Sequence, residues 1–165
     1  MKTRIIAIAA LVAGLTFATA AEKTKAPNGG RILGVVEPHA EFLVTPEKKV
    51  EIRFLDAAGK VIAPEGQTVT VTMGDRAAPT KLAFTKDGDK LVSDKVIPEG
   101  KNLPVVVQIK HSPDAKADTA KFNLNLAKCP TCSNAEYACT CEHGGEEKAT
   151  GHEGHDHKEG DDHKH

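Results

Sequence analysis

Apolar and polar residues alternate along the middle of the chain, between residues 28 and 127. In Val50–Phe54 every second side chain is apolar, and Val69–Met73 and Phe122–Leu126 show the same period of two. A period of two places successive side chains on opposite faces of a β-strand, so one face of each segment is expected to be buried. No window shows a sustained helical period, which makes strands the expected elements.

Turn residues divide this region into short segments. Asp56–Gly59 and Asp87–Asp89 are expected to form hairpin turns, because Gly and Asp tolerate the positive φ that such turns require. The pattern predicts an all-β domain over residues 28–127, a small immunoglobulin-like antiparallel β-sandwich. The candidate strands are Arg31–Glu37, Ala40–Thr45, Lys49–Asp56, Lys60–Ala63, Thr68–Met73, Lys81–Lys86, Lys90–Ser93, Leu103–Lys110 and Thr119–Leu126.

The N-terminus has the pattern of a secretory signal peptide. Lys2 and Arg4 precede the apolar run Ile5–Ala20, which ends in the small-x-small sequence Ala18-Thr19-Ala20. This pattern predicts a signal peptide over residues 1–20, cleaved after Ala20, followed by a linker over 21–27. The run is shorter than the roughly 20 residues of a membrane span. The mature protein is therefore expected in the periplasm or secreted, without stable membrane insertion.

Charge is divided unevenly along the chain. Residues 21–127 carry a formal charge of +2, whereas residues 128–165 carry −5 and a single aromatic residue. An acidic, aromatic-poor segment is unsuited to phosphate backbones, so no nucleic-acid partner is expected.

Four cysteines follow the predicted domain in a tight cluster. They are spaced C-x2-C-x6-C-x-C, at Cys129, Cys132, Cys139 and Cys141, within a predicted Cys-rich knot over residues 128–145. Three interpretations are open. Export favours disulfides, for which nested pairing of Cys129 with Cys141 and of Cys132 with Cys139 would staple a hairpin. Four thiolates, or three with His143, could instead hold Zn²⁺ or Cu⁺. Thiol–disulfide exchange through the C-x2-C pair is the third interpretation.

The C-terminal segment 146–165 contains Gly, Glu, Asp, His and Lys but no large apolar residue. Such a segment cannot bury enough surface to offset its ordering entropy, which predicts a disordered tail. In a flexible chain, its closely spaced imidazoles could bind one ion together, with Zn, Cu or Ni as the candidate metals. The alternative is a solvated polar tail without a metal. The candidate ligands are His143, His152, His155, His157, His163 and His165.

A possible second metal site lies in the body, where His39 and Glu41 are two residues apart and so share a face of the predicted strand. Residues 27–63, with Pro27-Asn28-Gly29-Gly30 and His39-Ala40-Glu41, resemble a module of periplasmic adaptor subunits of heavy-metal efflux systems and of small exported proteins that accompany them. The resemblance implies heavy-metal handling. Asn28 stands where that pattern carries its first histidine.

These observations predict an exported transition-metal-binding protein that sequesters or delivers Cu, Zn or Ni, alongside a heavy-metal efflux component as its partner. Neither an HExxH nor a GxSxG motif nor a P-loop occurs, and no enzymatic activity is expected. The alternative function is a disulfide-stapled β-sandwich that acts as an interaction or structural module without a metal.

Overall fold

Nine antiparallel strands form the domain. The structure is a computed structural model that describes residues 26–141. The strands are β1 Arg31–Leu33, β2 His39–Val44, β3 Lys49–Leu55, β4 Val61–Ile62, β5 Thr68–Met73, β6 Thr80–Asp87, β7 Lys90–Val96, β8 Leu103–Lys110 and β9 Asp118–Leu124. A short 3₁₀ helix, Glu136–Ala138, follows them. The predicted all-β antiparallel sandwich is confirmed.

The strands run in the order β1-β2-β3-β7-β6-β5-β8-β9, and β4 pairs with β3. Strand β6 joins two layers, because its first half pairs with β5 and its second half pairs with β7. Phe42 on β2 meets Phe122 on β9 with ring centroids 5.1 Å apart, so the two ends of this path face each other across the core. The path ends at the edge strands β1 and β9, and the two-residue β4 forms a further edge beside β3.

The alternating segments bury the faces that the period of two predicts. Val50, Ile52 and Phe54 of β3 are fully buried, as are Val71 of β5 and Ile109 of β8. The two predicted hairpin turns are also present, since β3 pairs with β4 and β6 pairs with β7 in antiparallel register. Gly59 and Gly88 adopt φ values of 77° and 62° in these turns, a region that favours glycine.

The first and last strands end before their predicted ends, and local hydrogen bonds explain why. The first ends at Leu33 rather than Glu37, because the N–H of Val36 bonds to the Leu33 carbonyl in a turn that carries Val36 into the core. The last ends at Leu124, because the side-chain oxygen of Asn125 accepts a bond from the N–H of Ala127 at 3.0 Å. That turn redirects the chain toward the cysteines.

The outer face of β3 carries an ion-pair network. The carboxylate of Glu51 accepts bonds from Lys90 Nζ and from Arg53 Nη2, both at 2.6 Å, and its side chain is 11% exposed. Burial alone would raise the pKa of Glu51, but the hydrogen bonds from Lys90 and Arg53 outweigh it and lower the pKa below its usual value.

Glu51→Gln is expected to destabilise the domain at neutral pH and to become harmless in acid. A lowered pKa in the folded state stabilises the fold above the unfolded-state pKa of about 4.3 and loses that effect as pH falls through the folded-state value. We expect the free energy of unfolding to fall by about 1–2 kcal/mol at pH 7, a value between those for exposed and for buried ion pairs. Urea unfolding from pH 7 to pH 2.5 measures it. If the difference in unfolding free energy between Glu51→Gln and the unsubstituted protein stayed constant with pH, the prediction would be contradicted. Glu99→Gln is the control, because Glu99 forms an exposed ion pair with Lys48.

A candidate four-cysteine metal centre

The four cysteines converge on one point. The Sγ atoms of Cys129, Cys132, Cys139 and Cys141 all lie within 4.8 Å of one another. Those of Cys129 and Cys139 are 3.4 Å apart, and those of Cys132 and Cys139 are 3.5 Å apart. They form the only set of three or more His, Cys, Asp or Glu side chains within residues 26–141 that could hold a metal ion.

The two shortest of these separations are close to those of a tetrahedral thiolate site. With metal–sulfur bonds of about 2.3 Å, as in zinc sites, tetrahedral geometry places neighbouring sulfurs about 3.8 Å apart. A disulfide requires about 2.05 Å, and all four residues are free thiols in this structure. The nested disulfide pairing stays a prediction. The four sulfurs are close enough to bind one metal ion together.

The first two cysteines lie in a tight loop that begins directly after β9. The N–H of Cys129 bonds to the carbonyl of Asn134 at 2.8 Å, and the N–H of Asn134 bonds to the carbonyl of Cys132 at 2.7 Å. Ser133 reverses the chain with a φ of 61°. These bonds close the loop from Cys129 to Asn134, and the sulfurs of Cys129 and Cys132 face the same site.

The second pair is supplied by the 3₁₀ helix. The N–H of Cys139 bonds to the carbonyl of Glu136 at 3.1 Å, which ends the helix and directs the Cys139 side chain at the first loop. The N–H of Cys141 then donates to Cys139 Sγ at 3.4 Å. Two short local structures, each with two cysteines, therefore build the site from opposite sides.

Backbone amides favour a thiolate at Cys129. Hydrogen bonds from the N–H groups of Cys132 and Thr131 lower the pKa of Cys129 to about 6. The surrounding thiols have the opposite effect on the second pair, since contacts with Cys132 and Cys139 raise the pKa of Cys141 to about 12. At Cys139 the N–H of Cys141 favours the thiolate, but Cys129, burial and Cys132 outweigh it and raise the pKa.

This electrostatic pattern suits a cation. One thiolate is stabilised by the backbone, whereas further negative charge among the sulfurs is disfavoured without a compensating positive charge. A divalent ion supplies that charge and deprotonates coordinating thiols. Cys129 is buried and the other three cysteines are half-buried, so the centre lies at the surface with one side open to solvent.

The possible site at His39 and Glu41 has a different character. Glu41 is completely buried. Its Oε1 accepts bonds from the N–H groups of Asn28 and Gly30 at 2.9 and 2.8 Å, and its Oε2 accepts one from Asn28 Nδ2 at 2.8 Å. Nδ1 of His39 lies 3.0 Å from the carbonyl of Val36. These contacts give Glu41 a structural role, holding residues 28–30 against β2, and a metal at this pair stays a prediction.

The remaining sequence-based predictions lie outside the described residues. They include the signal peptide over 1–20, His143, and the five further histidines of the tail.

His111, in the body, makes a side-chain contact instead, since its Nε2 lies 3.0 Å from Oδ2 of Asp118. Between residues 26 and 141, no helix is long and apolar enough to cross a membrane.

Sequence reasoning missed the residue that anchors the cysteine segment to the sandwich. Tyr137 is 4% exposed, and its hydroxyl accepts a bond from the N–H of Val44 at 3.0 Å. Its ring meets Phe42 edge-on at 6.0 Å. The only signal in the sequence is that the chain's single tyrosine lies between the two cysteine pairs.

Comparisons of the chain with protein-family models, with curated proteins and with solved structures find no match. The resemblance to efflux-adaptor segments therefore depends on the residues quoted for it, and the cysteine geometry is the structural basis for assigning a function.

Proposed function

We propose that this is an exported, periplasmic transition-metal-binding protein that sequesters or delivers Zn, Cu or Ni. The observation that carries the proposal is the convergence of four sulfurs within 4.8 Å of one another. Thiolates select Zn²⁺ and Cu⁺, and a tetrahedral four-sulfur site is a common environment of structural Zn²⁺. The role proposed is binding and transfer rather than catalysis.

The openness of the centre supports exchange of the ion. Three of the four cysteines are half-buried, so a partner's ligands can approach the ion from the solvent side. The adjoining sequence adds six histidines within residues 143–165. Imidazoles bind Zn²⁺, Cu²⁺ and Ni²⁺, and in this proposal they capture ions and raise their concentration beside the cysteines. A heavy-metal efflux component is the proposed recipient.

Native mass spectrometry tests the proposal on the untagged mature protein, isolated from its export compartment without reducing agent or chelator. We expect a mass that shows cleavage after Ala20, one tightly held metal ion and four free thiols. Each disulfide would instead lower the mass by about two hydrogens. Two disulfides and no metal, even after Zn²⁺ or Cu²⁺ is added, would contradict the proposal and favour the disulfide-stapled interaction module.

Two variants separate the contributions of cysteines and histidines. A chain that stops after Cys141 retains the cysteine centre and lacks the His-rich segment, so it should keep one tight ion and lose the weaker ones. Substitution of Cys129 and Cys132 by serine should do the reverse. A cut after Lys128 is less informative, because it also removes Tyr137 from the core.

A further inference from the structure

The sandwich has an open seam between the edge strands β1 and β9. Strands β1 and β9 end the path of paired strands, and no backbone pairing joins them in the described part of the chain. Their side chains nevertheless meet, because the guanidinium of Arg31 on β1 lies 4.8 Å from the centre of the Phe122 ring on β9. Unpaired edges present backbone N–H and C=O groups that need other partners, and native proteins often cover such edges with a helix or loop.

The 3₁₀ helix of the cysteine segment fills this seam. Residues Glu136–Ala138 contact both β1 and β9. On the β9 side, the N–H of Tyr137 bonds to the carbonyl of Asn125 at 3.1 Å, and the N–H of Glu136 bonds to that of Ala127 at 2.8 Å. On the β1 side, Arg31 Nη1 donates to the carbonyl of Tyr137 at 3.1 Å. One short segment thus replaces the missing strand pairing.

The segment also completes the core. Tyr137 and Ala138 are each 4% exposed and belong to the same hydrophobic cluster as Phe42 and Phe122. The Tyr137 hydroxyl accepts the bond from the N–H of Val44, at the end of β2. If the segment left the seam, the Phe42–Phe122 contact would lose its cover, and Tyr137 would lose its buried environment.

A helix of three residues has no stability of its own, so it depends on what holds its two ends. Its N-terminal end is attached to the turn that follows β9, through Asn125 and Ala127. Its C-terminal end runs directly into Cys139 and Cys141, whose partners in the cluster, Cys129 and Cys132, lie in the loop after that turn. A metal shared by all four sulfurs would close the loop and tie both ends of the helix to the segment that follows β9.

We propose that metal binding by the cysteines locks residues 136–138 into the seam between β1 and β9, and that loss of the metal opens this seam while the rest of the sandwich stays folded. The inference rests on the proposed function and adds a structural consequence to it. Because the coupling is reciprocal, a residue that holds the segment in the seam also strengthens metal binding without touching the metal. Tyr137 is that residue.

Hydrogen–deuterium exchange of the full mature protein tests the proposal, with one equivalent of Zn²⁺ and after chelation, while native mass spectrometry records occupancy of the same samples. We expect chelation to accelerate amide exchange at least 10-fold in β1, β9 and residues 128–141, and to leave β3, β5 and β8 protected. Tyr137→Ala should still bind one zinc ion, about 5-fold or more weakly, and should exchange rapidly at both edges even when loaded. Tyr137→Phe, which keeps the ring, is the matched control.

The outcomes distinguish the two proposals. If zinc binds and its removal changes exchange only within residues 128–141, the lock is wrong and the metal function stands. Uniform loss of protection in every strand would also overturn the lock, since the metal would then control folding of the whole domain. If zinc does not bind, the same exchange experiment is run with Cu⁺ and with Ni²⁺, and both proposals are wrong if none of the three ions binds. Unchanged zinc affinity and unchanged edge protection in Tyr137→Ala would remove Tyr137 from the mechanism and overturn the coupling.

Discussion

Cys139→Ser is expected to remove the tight metal site and the stability that depends on it. Cys139 Sγ lies 3.4 Å from Cys129 Sγ and 3.5 Å from Cys132 Sγ, so it contacts both sulfurs of the first loop. A hydroxyl is a poor ligand for soft ions, so serine leaves three sulfurs and one vacant position. The predicted result is loss of the one-to-one complex at zinc concentrations that saturate the unsubstituted protein.

The effect on stability follows from linkage. A ligand present at about 1,000 times its dissociation constant stabilises the folded state by about 4 kcal/mol. For a domain of this size that corresponds to a fall in Tm on the order of 15 °C when the ion is removed. We expect the Tm of the unsubstituted protein to fall by this amount on chelation, whereas Cys139→Ser should have the lower Tm with or without zinc. Thermal unfolding with a matched series of free zinc concentrations measures both.

Thr140→Ser is the matched control, because it lies between two ligands and leaves all four sulfurs in place. It should retain the zinc-dependent rise in Tm. If Cys139→Ser kept the same zinc-dependent rise in Tm as the control, the stabilising ion would have to lie elsewhere, and the His-rich segment would be the next candidate. A fall in Tm that did not respond to chelation in either protein would indicate that the thiols act through packing or disulfides alone.

The strands could be predicted because their signal is local. In Val50–Phe54 the alternation of apolar and charged residues indicates which side chains are buried, and Val50, Ile52 and Phe54 are buried in the structure. The exceptions arise where a side chain is buried without alternation. Val36 reaches the core from a turn, and Glu51 on the outer face of β3 is shielded by Arg53 and Lys90.

The sequence predicts the four cysteines of the candidate metal centre, but it does not predict how their segment packs against the sandwich. The spacing of Cys129, Cys132, Cys139 and Cys141 indicates a compact set of sulfurs, and these four residues converge in the structure. The docking of Tyr137 against Phe42 joins residues 95 positions apart in the sequence. A contact of that range depends on the strand order, which alternation along one chain does not encode. The predicted boundary at residue 128 therefore gave no indication that the cysteine segment completes the core.

Glu41→Ala is expected to be among the most destabilising single substitutions in the body. The carboxylate is completely buried and accepts three hydrogen bonds from Asn28 and Gly30. Alanine would leave these donors unpaired beneath the surface and create a cavity beside β2. We expect the free energy of unfolding to fall by about 3–5 kcal/mol, because each buried donor left unpaired costs about 1–3 kcal/mol and the cavity adds to this. Urea unfolding of the zinc-loaded protein measures it.

Two comparisons decide whether Glu41 is structural or a metal ligand. Gln at position 41 keeps one oxygen for the N–H groups of Asn28 and Gly30, and rotation of the Asn28 amide restores the third bond, so Glu41→Gln should recover most of the stability. His39→Ala should cost little, because His39 is only half-buried and its Nδ1 contacts the Val36 carbonyl at 3.0 Å and the exposed Glu37 carboxylate at 3.5 Å. Zinc stoichiometry should not change in either variant. If His39→Ala and Glu41→Gln each removed one bound ion without unfolding the domain, the pair would be a second metal site, and the bonds from Asn28 and Gly30 would mark its metal-free state.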